Sequence, residues 1–158
     1  MSDKSKFLAV NTQINSGNRG HHVITSYKRA NFISLNEPEL RLATHNRFDS
    51  IEHLMLLISK KLDAKYISIT RGTKGAVMLD YKKEMFSKIP SLSSRVIDRI
   101  GAGDAYLAIS SIALAGKLDF NIANFLGSIA AAMDVQIVCN RSPIDKINLK
   151  KYIETLLK

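Results

Sequence analysis

The stretch Ile97-Asp98-Arg99-Ile100-Gly101-Ala102-Gly103-Asp104-Ala105 runs directly into an apolar helical pattern. Gly101 and Gly103 flank Ala102, so peptide N–H groups can converge without side chains between them. They do so at a helix start, where unpaired amides and the helix dipole favour an anion. A carboxylate in that first turn, Asp104, repels phosphate and would be a poor ligand for it. It suits a buried base beside that ring of amides, one that takes a proton from an alcohol attacking phosphorus. The same letters also describe a tight turn with Asp104 capping free amides, and the spacing alone leaves both open. Asp98 reads as a residue that orients the glycine loop. Asn36-Glu37-Pro38-Glu39 and Thr70-Arg71-Gly72-Thr73-Lys74-Gly75 are further polar, turn-forming stretches at the ends of apolar runs. Asn36 with Glu39 three residues on has the spacing of a capping box at a helix start.

Strands and helices must position these residues. Phe7–Val10 is a short apolar run that breaks into a polar stretch from Asn11 to His22, and Asn31–Leu35 reads as a second buried strand. Ile51, Leu54, Met55, Ile58 and Leu62 recur at helical spacing, predicting a helix over Ser50–Leu62 with Ser50 as N-cap. Tyr66–Thr70 is a third strand, and Ala76–Leu79 with Met85–Ile89 forms a hairpin around a charged turn. Helices follow over Gly103–Ala115, Asn121–Val138 and Leu149–Leu157, and Met55, Met78, Met85 and Met133 read as core filler. Strands separated by helices predict an α/β fold, a mostly parallel sheet covered by helices on both faces. In such sheets the ligand crevice lies beyond the strands' carboxyl ends. Those ends are Asn11-Thr12-Gln13, Asn36–Glu39 and Thr70–Gly72.

Composition narrows the classes. The chain has 158 residues, a net charge of +9, 46% hydrophobic residues and a single cysteine, Cys139. That excludes a disulfide framework and a Cys-based zinc site, and suits one domain in a reducing compartment. Met1–Lys6 holds no apolar stretch long enough for a signal peptide, and no segment reaches a membrane span, so a cytoplasmic location is expected without a membrane partner. Lys and Arg are scattered in pairs such as Lys60-Lys61 and Lys82-Lys83, without a basic stripe, so no nucleic-acid partner is expected. His21 and His22, adjacent on an extended segment, point opposite ways and predict no metal site. A dinucleotide-binding Rossmann reading fails because the glycine cluster comes late, after most strands.

Asp98 with Gly101-Ala102-Gly103-Asp104, opening a helix, resembles the hallmark of the ribokinase-like (PfkB) carbohydrate kinases. Asn36-Glu37-Pro38-Glu39 is similar to that family's Asn-x-x-Glu pattern, and Thr70 to Gly75 to its Thr-x-Gly-x-x-Gly turn. The Ala-rich segment Ser128–Val138 resembles the one that borders the family's adenine pocket. Within the family, Asn11–Asn18 and Ser34–Leu40 look most like the sugar-kinase part of bifunctional ADP-heptose synthase-type proteins.

The resemblance implies ATP-dependent phosphoryl transfer to a sugar or sugar-phosphate hydroxyl. Asp104 would be the catalytic base and Gly101, Ala102 and Gly103 the anion hole. Thr70, Gly72, Gly75 and Asn140 would contact the nucleotide. Asn36 and Glu39 would hold Mg²⁺ through water, which fits an ion that keeps several waters. K⁺ is a further cofactor of some members. Departures are Arg99 in place of a small hydroxyl residue, and Cys139-Asn140 where many members carry Gly and a small residue. Residues 1–158 would form a single partial ribokinase-like domain, the C-terminal nucleotide-binding and catalytic half, without the N-terminal half and lid. The partner would be that missing half or a second copy of the chain. The alternative is a non-catalytic nucleotide-binding or assembly module that self-associates or docks to a partner chain.

Overall fold

Alternation of side chains along the strands sets the architecture. In a computed structural model, which describes residues 6–14, 17, 20–93, 96–98, 100–137 and 143–158, β1 (Ala9–Val10) pairs in parallel with β2 (Phe32–Asn36). β2 pairs in parallel with β3 (Tyr66–Thr70), which pairs antiparallel with β4 (Ala76–Asp80). The hairpin partner β5 (Met85–Ile89) closes the order β1-β2-β3-β4-β5. Ile33, Leu35, Ile67, Ile69, Val77 and Leu79 point to one face and pack on Leu40, Leu54, Met55 and Ile58. Phe32, Ala76 and Met78 point to the other and pack on Tyr106, Ala113, Leu114 and Ala123. Fully burying each large apolar side chain stabilises by roughly 1.5–3 kcal/mol, so both layers hold the sheet firmly.

The first layer is α1 (Glu37–Thr44) and α2 (Ile51–Lys61), the second α3 (Ala102–Ala115) and α4 (Phe120–Asp134). Each expected strand, the hairpin and the α2 N-cap are present, with Ser50 Oγ accepting from the His53 N–H at 3.2 Å. α1 is the element that periodicity did not reveal, because it is short and carries Pro38 in its first turn, though its start carries the capping-box spacing. α4 ends at Asp134, and α5 (Lys146–Leu156) starts earlier than apolar spacing suggests because Asp145 caps it. Met55 and Met78 are fully buried, whereas Met85 on the edge strand β5 is 51% exposed and is not core. Among the described residues, no helix is long and apolar enough to cross a membrane.

α3 and α4 meet at Gly127. A Cβ there would lie 2.1 Å from Ser110 Oγ and 3.0 Å from the Tyr106 ring, so only glycine admits the close approach. Ser110 Oγ donates to the Ala123 carbonyl at 3.1 Å. Tyr106, fully buried, donates its hydroxyl to Asn124 Oδ1 at 2.7 Å, and Asn124 Nδ2 donates to the Ser87 carbonyl and hydroxyl. Burial pushes the Tyr106 phenol above its ordinary pKa, so it stays a neutral donor. This network fixes α3, and with it the helix start that opens on the site.

Candidate functional site

Asn36 at the end of β2 pairs with Thr70 at the end of β3, and Thr70 pairs with Ala76 at the start of β4. The register therefore gathers the expected polar turns on one edge of the sheet. There α3 begins at Gly101, with φ +97° and no side-chain cap among the described residues. α1, α2, α4 and α5 are capped by the side chains of Asn36, Ser50, Asp119 and Asp145. The first bond of α3 runs from the Ala105 N–H to the Gly101 carbonyl at 2.9 Å, leaving the amides of Ala102, Gly103 and Asp104 ahead of it. Asp98 Oδ1 accepts from the Ile100 N–H at 3.0 Å, in keeping with a loop-orienting role.

A cavity of about 260 Å³ is lined by Asn11, Gln13, Ile14, Ser34, Leu35, Asn36, Glu39, Thr70, Gly101, Gly103 and Asp104. Its charged lining is Glu39 and Asp104, with no Lys or Arg among the described residues. A larger cavity of about 810 Å³, within the range of small-molecule sites, has Arg41, Arg71 and Lys74 on one part of its wall. Tyr106, Ala131, Ala132 and Val135 supply an apolar part. Asn36, Thr70 and Gly103 line both cavities, so the start of α3 lies where they meet. A Cβ on Gly103 would meet nothing within 4 Å, so the protein's own packing does not demand glycine there.

The capping box at Asn36 and Glu39 is formed in full. The Glu39 N–H donates to Asn36 Oδ1 at 2.9 Å, and the Asn36 N–H donates to Glu39 Oε2 at 2.8 Å. Burial raises the Glu39 pKa, backbone bonds from Asn36 and Ile14 oppose this, and the negative charge of Asp104 adds to the rise. Such a carboxylate gains from a nearby cation. Among the described residues no group of three or more His, Cys, Asp or Glu could hold a metal ion by itself. Asn36 and Glu39 would suit a hydrated Mg²⁺ held through water, an ion that keeps several of its waters. Asn36 Oδ1 is already engaged by the cap, which favours a water-mediated contact for it too.

The expected site residues Asn36, Glu39, Thr70, Gly101, Gly103 and Asp104 converge on the smaller cavity. Gly72, Gly75 and Ala102, again with Thr70 and Gly103, line the larger one. Gly75 is also required structurally: its φ is +79° and a Cβ would lie 2.0 Å from the Ile89 carbonyl oxygen. Asp104 differs from the sequence expectation of a buried carboxyl, because it stands exposed in the first turn of α3, at the cavity rim. Arg99, Cys139 and Asn140 lie outside the described residues. Ser128, Ala131, Ala132 and Val135 of the Ala-rich segment do border the larger cavity. Asn11, Gln13 and Ser34 were not named as site residues, although Asn11 to Gln13 form one of the polar strand ends that carried a signal. Arg41 and Tyr106 gave none, since a helical Arg and a core aromatic look ordinary in sequence.

The sheet, its helical layers and the paired cavities at its carboxyl edge define a ribokinase-like α/β domain. The chain superposes on ribokinase from Thermotoga maritima with a TM-score of 0.79 at 16% identity, over 97% of this chain and 51% of that one. Arabidopsis thaliana ribokinase complexed with ribose and ATP superposes with a TM-score of 0.68 at 22% identity, over 79% and 41%. The pfkB family of carbohydrate kinases matches residues 20–146, and the chain belongs to that family. It is 30% identical over 114 residues to the bifunctional protein HldE of Campylobacter fetus, covering 70% of this chain and 24% of that relative. The chain therefore spans about a quarter of that curated relative and about half of the Thermotoga ribokinase chain.

Proposed function

We propose that residues 1–158 form one partial ribokinase-like domain, the nucleotide-binding and catalytic half of a carbohydrate kinase. The reaction is ATP-dependent phosphoryl transfer to a sugar or sugar-phosphate hydroxyl. The observation that carries this reading is the uncapped start of α3 where an acidic cavity meets a larger one with a basic and an apolar wall. The nucleotide occupies the larger cavity, its base against Ala131, Ala132 and Val135, with Thr70, Gly72 and Gly75 turning around it. The Gly101–Gly103 backbone holds the transferring phosphoryl as charge spreads over its oxygens. The acceptor enters the smaller cavity and Asp104 takes its proton as the new oxygen–phosphorus bond forms and the bond to the leaving ADP breaks. Mg²⁺, when bound through water by Asn36 and Glu39, supplies neutralisation of phosphate charge. K⁺ is a second cation to be tested. That the Arabidopsis ribokinase structure holds ribose and ATP supports this ligand pair.

Turnover with ATP and a panel of sugars tests the reading. Asp104→Asn in the active kinase is expected to lower turnover at least roughly 10²-fold while ATP affinity stays unchanged. Near-normal turnover removes Asp104 as the base. The second reading, a non-catalytic assembly module, draws on the exposed Ile112 of α3 (70%), Leu118 of the turn after it and Ile122 of α4. Self-association together with nucleotide binding but no turnover on any sugar would favour it.

A further inference from the structure

Among the cations lining the larger cavity, Arg41, Arg71 and Lys74, one is held in place with its tip unspent. Every nitrogen of Arg41 is engaged: Nε and Nη2 donate to Glu37 Oε1 at 3.1 and 2.9 Å, and Nη1 donates to the Arg47 and Asp49 carbonyls. The other oxygen of Glu37, Oε2, accepts from Arg71 Nε at 3.1 Å. Arg71 Nη1 and Nη2 have no hydrogen-bond partner among the described residues. The side chains of Glu37, Arg41 and Arg71 are each only about a quarter exposed, at 24%, 25% and 26%, so the relay is shielded. Burial alone would raise the Glu37 pKa, but the bonds and charges of Arg41 and Arg71 hold it below the ordinary value. Lys74, by contrast, is exposed on the turn.

Pinning Nε leaves the end-on fork of a guanidinium, the pair of Nη groups that matches two oxygens of one phosphate. Arg71 follows Thr70 in the chain; both line the larger cavity, and Thr70 lines the smaller one as well. We infer that Arg71 is a phosphate-binding residue for the polyphosphate of the nucleotide, with Glu37 and Arg41 as its positioning residues. The inference rests on the kinase reading above and adds to it a protein cation that recognises the ligand by its phosphates. A loose lysine would give attraction without register, whereas the tethered fork gives both.

The experiment measures binding of adenosine, ADP and ATP to the full chain and to Arg71→Gln, Arg71→Lys and Glu37→Gln. Arg71→Gln is expected to weaken ADP and ATP at least about tenfold while leaving adenosine unchanged. Arg71→Lys keeps the charge and recovers only part of that loss. Glu37→Gln retains Arg71 but frees it, and weakens ATP by less than Arg71→Gln does. Equal ATP affinity in wild type and Arg71→Gln overturns the inference and leaves the kinase reading intact. Parallel loss of adenosine and ATP in both Arg71 variants also overturns it, since that marks a structural role. A wild-type chain that binds none of these ligands overturns the kinase reading itself, and the inference with it.

Discussion

Replacing Gly103 by alanine separates a glycine kept for a ligand from one kept for the fold. Gly103 lies in the first turn of α3, and an added Cβ meets no protein atom within 4 Å. Its φ is not among the positive values found for Gly20, Gly72, Gly75 and Gly101, so alanine fits the backbone without strain. Alanine is favoured over glycine inside a helix by up to about 1 kcal/mol, and by less in the first turn. At this chain length that corresponds to a Tm unchanged or raised by at most about 4 °C. Gly103 lines both cavities, so the same methyl is added to the wall assigned to the phosphoryl group. Losing one backbone hydrogen bond to a charged phosphate costs about 1.5–3 kcal/mol, or roughly 10- to 150-fold in ATP affinity. Thermal unfolding and calorimetric ATP titration on the same sample read both quantities. A Gly103→Ala protein with wild-type Tm and wild-type ATP affinity refutes the assignment of the α3 start to phosphate.

Gly127→Ala should behave in the opposite way. The clash with Ser110 and Tyr106 costs about 1–3 kcal/mol after relaxation, lowering the midpoint of urea unfolding; an unchanged midpoint would show that α3 and α4 yield easily. Asp134 is buried at the end of α4 with Oδ2 unpartnered among the described residues, and burial, then the charges of Asp98 and Asp104, raise its pKa. A raised carboxyl contributes stability below its ordinary value of 3.8 that is lost as pH rises through the folded-state value. Asp134→Asn should therefore unfold at a higher temperature than wild type at about pH 7.5, with the gap closing toward about pH 4; a gap that does not vary with pH contradicts this. Glu37 works with the reverse sign, its lowered pKa giving stability above its ordinary value of 4.5 that is lost as pH falls. Glu37→Gln should then lose its stability deficit relative to wild type on acidification, which denaturation at several pH values would reveal.

Much of the fold was legible because the strands alternate cleanly. Phe32, Ala76 and Met78 take one face, and Ile33, Ile67 and Val77 the other, so period and pairing agree. The α2 cap at Ser50 and the hairpin likewise follow local rules that tertiary contacts do not override. α1 escaped because its burial rests on few residues, Leu40 and Ala43 with the buried Glu39, too sparse a stripe to count as periodic. In the candidate site, the meeting of Gly101, Gly103 and the strand ends at one cavity was legible, because backbone chemistry and strand order decide it. The site was not legible where distant side chains cooperate. That Glu37 bridges Arg41 and Arg71 depends on helix and strand end being brought together by the β2–β3 pairing. Asp104 was expected to be buried beside the amides; the position in the first turn of α3 instead leaves it open at the rim.

The central claim is tested most directly by a crystal structure of the chain with a non-hydrolysable ATP analogue. The account predicts adenine against Ala131, Ala132 and Val135 and the terminal phosphate on the Gly101–Gly103 backbone, with the Asp104 carboxylate on the side of the smaller cavity. A nucleotide bound elsewhere, or one whose phosphates point away from the start of α3, contradicts it.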